Sequence, residues 1–138
     1  MFAPIADAVN IEKIIKVFDS VDYSSMIEES PSKTRYGYER IEKICCDSLF
    51  MRMQIYTNGD VTNCACRYPG LVVGNIYRNS LSEIWNGELH KKYMRLHLAG
   101  NRGKIKMCRD CDSMQSAGHP MDNLDGHLGE ILERVNKL

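Results

Sequence analysis

Residues 50–64 read FMRMQIYTNGDVTNC, and this stretch decides the fold. Its first half alternates apolar and polar residues, which is typical of a half-buried β-strand. One face of that strand would carry Met51, Met53 and Ile55. The pair Asn58-Gly59 follows, and Asn-Gly between two strand-like runs favours a two-residue turn because both turn positions need a positive φ. The stretch therefore predicts a β-hairpin whose second strand ends at Cys64.

The segments before the hairpin predict one helix, one short strand and a linker. Apolar residues recur at helical spacing over 11–18, and Asn10 is a suitable N-cap. Residues 21–24 read VDYS and are typical of a short strand. Residues 28–38 contain a Ser-Pro pair and a glycine, which favours a loop.

The segment directly after the hairpin predicts a turn and then a helix. Residues 71–76 form a short apolar run in which Gly74 indicates a close turn. Ser80 and Glu83 have the spacing of a capping box, so we expect a helix to begin there. One face of that helix would carry Leu81, Ile84, Trp85 and Leu89.

Two further helices are expected in the second half of the chain. The pair Asn86-Gly87 interrupts the first helix, and a second helical run continues to about Leu98, with Gly100 as its C′ residue. A last amphipathic helix runs through the tail from Leu124, weakened by two glycines. The pattern as a whole indicates an α+β domain with a small hairpin, short helices and long loops, whose regular core is small enough to need an internal staple.

Composition and charge exclude several classes of protein. The chain has 138 residues, 43% hydrophobic and 26% charged, which is globular. Lys plus Arg and Asp plus Glu are 18 each, so the basic excess of a nucleic-acid binder or a polybasic membrane-surface protein is missing. No apolar run approaches the roughly 20 residues that span a bilayer. The N-terminus lacks the basic and apolar regions of a signal peptide, so we expect a cytoplasmic, reducing location.

Six cysteines then need an explanation. Cys108 and Cys111 form a C-x-x-C pair, and Cys46 and Cys64 flank the hairpin, whose outer ends lie side by side. Two such pairs predict a four-thiolate site. A disulfide framework, a structural zinc site and an iron–sulfur cluster all use clustered cysteines, and the spacing does not separate zinc from a cluster.

Several motifs together resemble the SPASM or twitch domain of radical S-adenosylmethionine (radical SAM) enzymes. The resemblance covers residues 41–112, and a weaker one relates residues 10–25 to the end of the partial barrel that precedes this domain in the family. The segments that carry the close resemblance are Cys46 to Cys64 with Asn58-Gly59-Asp60-Val61 inside it, Val73-Gly74-Asn75-Ile76, Ser80-Leu81-Ser82-Glu83-Ile84-Trp85-Asn86-Gly87, His97-Leu98-Ala99-Gly100 and Cys108-Arg109-Asp110-Cys111.

The resemblance implies an auxiliary 4Fe–4S cluster, with zinc as a substitute in aerobic preparations. Its ligands would be Cys46, Cys64, Cys108 and Cys111. The neighbouring Cys45 and Cys66 are alternates, otherwise ordinary half-buried thiols. The domains would be 1–40 (helix, strand and linker, a remnant of the barrel), 41–115 (the cluster domain) and 116–138 (a helical tail).

The resemblance also implies a function in electron transfer, in substrate positioning or in both, within a radical SAM oxidoreductase. The partner would be the radical SAM core domain, in this or another chain, with an unknown substrate and neither nucleic acid nor membrane as a partner. The sequence has no C-x-x-x-C-x-x-C, so we expect this chain not to cleave S-adenosylmethionine by itself, and we identify no catalytic residues. The alternative is a zinc-stapled structural or protein-interaction module with no redox role.

The histidines and the basic residues suggest no site of their own. No metal-binding spacing relates the four histidines, which we interpret as surface residues: His90, His97, His119 and His127. Arg109, inside the C-x-x-C pair, would either offset the negative charge of thiolates or face solvent. A mildly basic stretch that includes Arg102 is interpreted as a solvated face.

Overall fold

The structure is a computed structural model, and it describes residues 14, 18, 20–26, 32–34, 36–64 and 70–137. The predicted N-terminal helix falls almost entirely outside these residues. The elements, in chain order, are α1 (Ser48–Met51), β1 (Gln54–Ile55), β2 (Asp60–Thr62), β3 (Val72–Asn75), α2 (Leu81–Trp85), α3 (Glu88–Leu98), α4 (Lys106–Arg109), α5 (Ser113–Ser116) and α6 (Leu128–Lys137), with short 3-10 turns at Arg102–Lys104, Pro120–Asp122 and Asp125–His127.

The predicted hairpin is confirmed, and it belongs to a three-stranded antiparallel sheet of order β1-β2-β3. Gln54 lies opposite Thr62 in the first ladder. The turn is a three-residue loop over 57–59 and not the two-residue turn that the sequence favours, because the N–H of Tyr56 donates to the carbonyl of Asp60 across it. In this loop Gly59 has a φ of 82°, the left-handed conformation that favours glycine. The sheet and the surrounding helices make the fold α+β, as the sequence predicts.

The strand predicted over 50–56 is wrong in its first half. Helix α1 includes Met51, and only Gln54 and Ile55 pair in the sheet. Met51 and Ile55 are exposed, while Leu49 on α1 is buried. Burial of Leu49 thus favours a helical turn here, and tertiary packing overrides the alternating pattern.

Two smaller predictions near the sheet are also wrong. Gly74 lies inside β3 and makes no close turn. It is a place of close approach, because a Cβ atom there would lie 2.7 Å from Cγ1 of Ile84. Residues 21–24, predicted as a strand, form bends and turns.

The helix boundaries follow the sequence signals closely. Ser80 caps α2 through its hydroxyl, which accepts from the N–H of Glu83, and the Glu83 carboxylate accepts from the N–H of Ser80 in return. Helix α2 ends before Asn86-Gly87 and α3 continues to Leu98. Gly100 follows with a φ of 69°.

Two small apolar clusters form the core of the described residues. One lies between α3 and α6 and is centred on Cys45, Met94, Leu98 and Val135. The other lies between the sheet and α2 and is centred on Val61, Val73 and Ile84. Helix α3 contributes to both clusters, with Met94 and Leu98 in the first and Tyr93 packed against the second.

No helix in the described part of the chain combines the length and the apolar character that crossing a bilayer requires.

Candidate metal centre

Four cysteines from separate segments line one small cavity. Cys46 precedes α1, Cys64 follows β2, and Cys108 and Cys111 lie on and just after α4. All four are half-buried and form no disulfide. The structure therefore brings the predicted ligand residues to one place, although they come from three distant stretches of chain.

The loop that carries Cys46 is held by hydrogen bonds from two other segments. The carboxylate of Asp125 accepts from the N–H groups of Ile44 and Cys45, at 2.8 and 3.0 Å. The Nδ1 atom of His97 accepts from the N–H of Cys46 at 3.3 Å. The C-terminal segment and the end of α3 thus fix the position of the first predicted ligand.

Arg102 holds the C-x-x-C pair, although the sequence predicts it to lie on a solvated face. The Arg102 guanidinium donates from Nη1 to the carbonyl oxygens of Cys108 and Cys111, at 2.5 and 3.2 Å. Arg109 is exposed and donates to the carbonyl of Gly103. The positive charge next to these two cysteines is therefore that of Arg102, which lies on the 3-10 turn just before α4.

The walls of the cavity are partly apolar, and the thiols are shielded from water. The apolar lining residues are Leu49, Leu71, Met107 and Met114. Burial is the main cause that raises the pKa of Cys46 to about 11, and the hydrogen bonds from Ser48 partly offset it. Burial also raises the pKa of Cys108 to about 12, with further contributions from the other three thiols. Such thiols ionise near neutral pH only when a cation compensates their charge.

Two polar side chains of the same cavity have unsatisfied atoms. The side-chain nitrogen and oxygen of Asn63 and the Nε2 atom of His97 are buried without a hydrogen-bond partner. The burial of His97 lowers its pKa to about 4, and the charge of Arg102 contributes. Buried polar groups are rarely left unsatisfied, so the cavity is suited to a polar occupant.

The interpretation of His90 and His97 as surface residues is wrong. Both are essentially fully buried, at 0% and 1% exposure. His119 is half-buried and His127 is exposed. The signal that could have found the first two is their spacing of seven on one helix, which places them on one face, here the face that packs inward.

The alternate ligands are placed differently. Cys45 is fully buried in the core between α3 and α6, with Met94 and Leu98. It does not line the cavity, and burial raises its pKa to about 12. Cys66 lies outside the described residues.

The arrangement of donors fits a metal or a cluster in its chemistry. Four thiols, apolar walls and unsatisfied polar atoms are what such a group needs around it. Among the described residues, no three Cys, His, Asp or Glu side chains are grouped as a site for a single metal ion. The four-cysteine staple itself is therefore not shown, although its four thiols share one cavity.

A second, larger cavity of about 360 Å³ shares two residues with the first, Ser48 and Ser113. Its other lining residues are mainly polar or aromatic, among them Tyr38, Arg52 and Asp122. Its volume lies in the range of small-molecule sites.

A small α+β domain that gathers four thiols at one shielded cavity belongs to the class of metal- or cluster-binding proteins. Residues 45–112 match the family model of SPASM, an iron-sulfur cluster-binding domain. The resemblance that the motifs predict is therefore confirmed over this segment, and it supports a cluster-binding role. No curated protein and no solved structure was found to match the chain.

Proposed function

We propose that the chain is the auxiliary cluster domain of a radical SAM oxidoreductase, with one 4Fe–4S cluster held by four cysteines. The ligands are Cys46, Cys64, Cys108 and Cys111. One observation carries the proposal: these four thiols line the same cavity, and all four lie inside the segment that matches the SPASM family.

The number of ligands suits a closed cluster. In a four-iron cluster each thiolate binds a different iron, so four cysteines stand around the cluster and leave no iron open. Such a cluster supplies storage and transfer of one electron. Leu49 and Met114 exclude water from it, and Arg102 holds the carbonyls next to two ligands while its charge offsets part of theirs.

The proposal needs a partner domain for radical chemistry. The sequence contains no C-x-x-x-C-x-x-C, the motif that binds the catalytic cluster of radical SAM enzymes. We therefore assign that step to a radical SAM core domain, in the same or another chain.

Substrate positioning is the second part of the proposed role. The larger cavity and the cysteine-lined one share two lining residues, Ser48 and Ser113. A substrate there would lie near the cluster. The exposed Arg52 would bind an anionic group of it, and Arg52→Ala should then weaken substrate binding without loss of iron.

The experiment compares two adjacent cysteines in the full chain, reconstituted without oxygen. Cys46→Ala should lose the cluster because it removes a ligand. Cys45→Ala should keep it, because Cys45 lies in the apolar core. Iron and sulfide analysis with visible absorption gives the readout, and four of each per wild-type chain is the expected result.

Three results would contradict the proposal. Loss of the cluster from Cys45→Ala alone would move the first ligand by one residue. Two irons per chain would indicate a smaller cluster. A colourless protein with one zinc, even when prepared without oxygen, would favour the structural zinc module.

A further inference from the structure

The cysteine-lined cavity contains two buried polar side chains that no protein atom satisfies. Asn63 is 0% exposed and His97 is 1% exposed. The unsatisfied atoms are both amide atoms of Asn63 and the Nε2 atom of His97. A buried polar group that is left unpaired is destabilising. A polar occupant of the cavity would remove this cost for both side chains.

The bond to Cys46 decides which atom of His97 carries the hydrogen. Nδ1 accepts from the Cys46 N–H, so it has no hydrogen of its own. A neutral imidazole has one N–H, which is therefore at Nε2. The unsatisfied Nε2 is thus a donor on the wall of the cavity.

The two side chains lie next to two different ligand cysteines. Asn63 directly precedes Cys64 at the end of β2. His97 reaches the backbone of Cys46 from the end of α3. The amide nitrogen of Asn63 has two hydrogens to donate. Both side chains line the same cavity as the four cysteines, whose sulfur atoms are acceptors there together with the hydroxyls of Ser48 and Ser113.

We propose that the Nε2–H of His97, with the amide of Asn63 as a second donor, hydrogen-bonds to sulfur of the bound cluster and raises its reduction potential. The two are positioning residues, not ligands. The inference rests on the proposed function, because it needs the cluster in the cavity.

The physical reason is the charge that reduction adds. A cluster gains one negative charge on reduction, and donors to its sulfurs stabilise the more negative state. Loss of one such donor should lower the equilibrium constant of reduction about tenfold, which corresponds to about 59 mV for a one-electron couple.

The test uses two substitutions of His97, each of which retains a polar atom at the position of only one ring nitrogen. In His97→Asn, the side-chain oxygen lies near the former Nδ1 position, so the bond from Cys46 is kept and the donor is lost. In His97→Gln, the longer amide reaches the Nε2 position and keeps a donor. The expected result is an equilibrium constant of reduction lowered about tenfold in His97→Asn, a fall in potential of about 59 mV, and a nearly unchanged potential in His97→Gln.

Control variants separate tuning of the cluster from damage to the fold. His90 is also fully buried on α3, but both of its ring nitrogens already have partners. His90→Asn should lower stability and leave the potential unchanged. Asn63→Leu should lower the potential in the same direction as His97→Asn, and it remains a test if His97→Asn does not fold.

A direct readout is the magnetic coupling between the reduced cluster and nitrogen in protein that contains ¹⁵N-labelled histidine. Coupling should be present in the wild type and absent from His97→Asn. An unchanged potential in both His97→Asn and Asn63→Leu would overturn the inference, as would equal shifts in the Asn and Gln variants. A wild-type chain without a cluster contradicts the proposed function first, and iron analysis shows this before any potential is measured.

Discussion

Helix α3 carries two fully buried histidines, His90 near its start and His97 near its end, and their surroundings differ completely. Both ring nitrogens of His90 lie 2.8 Å from carbonyl oxygens, those of Trp85 and Leu49. Its ring also meets the Trp85 ring edge-on, at 4.8 Å between centroids. His97 has one partner, the N–H of Cys46, and its second nitrogen has none.

The difference separates a structural residue from a functional one. The partners of His90 are all supplied by the chain, so it connects α1, α2 and α3 and needs nothing more. His97 has only one partner in the chain, and it lines the cavity of the four cysteines. A buried polar side chain whose partners all come from the chain is thus typical of packing, whereas one with an unpaired atom at a cavity is a candidate for binding.

The largest effect is expected at the cysteine-lined cavity, from Cys108→Ala or Cys111→Ala. Either variant should lose the cluster and most of the cooperative thermal unfolding, because the cluster closes the long loop between the hairpin and α4. Iron analysis and thermal melting provide the measurements. Cys66→Ala is the control and should keep both properties. Wild-type melting of the Cys108 variant would contradict the idea of a staple.

The next largest effect is expected from His90→Ala, at the buried start of α3. This variant removes the ring that contacts the carbonyls of Trp85 and Leu49 and opens a cavity, so the free energy of unfolding should fall by about 3 kcal/mol. Denaturant unfolding measures the loss. His127→Ala, at an exposed position, should have almost no effect. If His90→Ala lost iron as readily as a ligand variant, the two ends of α3 would not be separate in function.

Asp125→Ala tests how the loop that carries Cys46 is supported. It removes the acceptor of two backbone N–H groups, those of Ile44 and Cys45, and should lower the free energy of unfolding by about 2 kcal/mol. The loosened loop should also release iron faster to a chelator. Asp122→Ala, at the larger cavity, should release iron at the wild-type rate. Equal rates in both variants would show that Asp125 does not support the ligand loop.

The smallest effect is expected at the capping box of α2, far along the chain from the ligands. Ser80→Ala should lower the free energy of unfolding by about 1 kcal/mol, whereas Ser82→Ala should leave it unchanged or raise it. Hydrogen bonds from Ser80 lower the pKa of Glu83. Stabilisation by this pair is therefore complete above the ordinary pKa of a glutamate and is lost as the pH falls through the lowered one. A Ser80→Ala effect that did not shrink in acid would argue against the carboxylate contribution.

Local signals predicted much of the fold. The Asn58-Gly59 turn, the Ser80 cap and the break at Asn86-Gly87 lie where the sequence indicates them, because each depends on the conformations of a few adjacent residues. The strand over 50–56 failed in its first half because burial of Leu49, a long-range effect, favours α1.

The sequence alone predicts the four thiols of the site. It also carries the match of residues 45–112 to the SPASM family model. The other side chains around these thiols are known only from the tertiary structure. Arg102 and Asn63 look like ordinary turn and loop residues in the sequence, and His97 belongs to a motif, His97-Leu98-Ala99-Gly100, that does not reveal its contact with the Cys46 loop. They gather at the cavity because α3, β2 and the segment after α3 end at the same place, and contacts between such distant segments leave no local pattern in the chain.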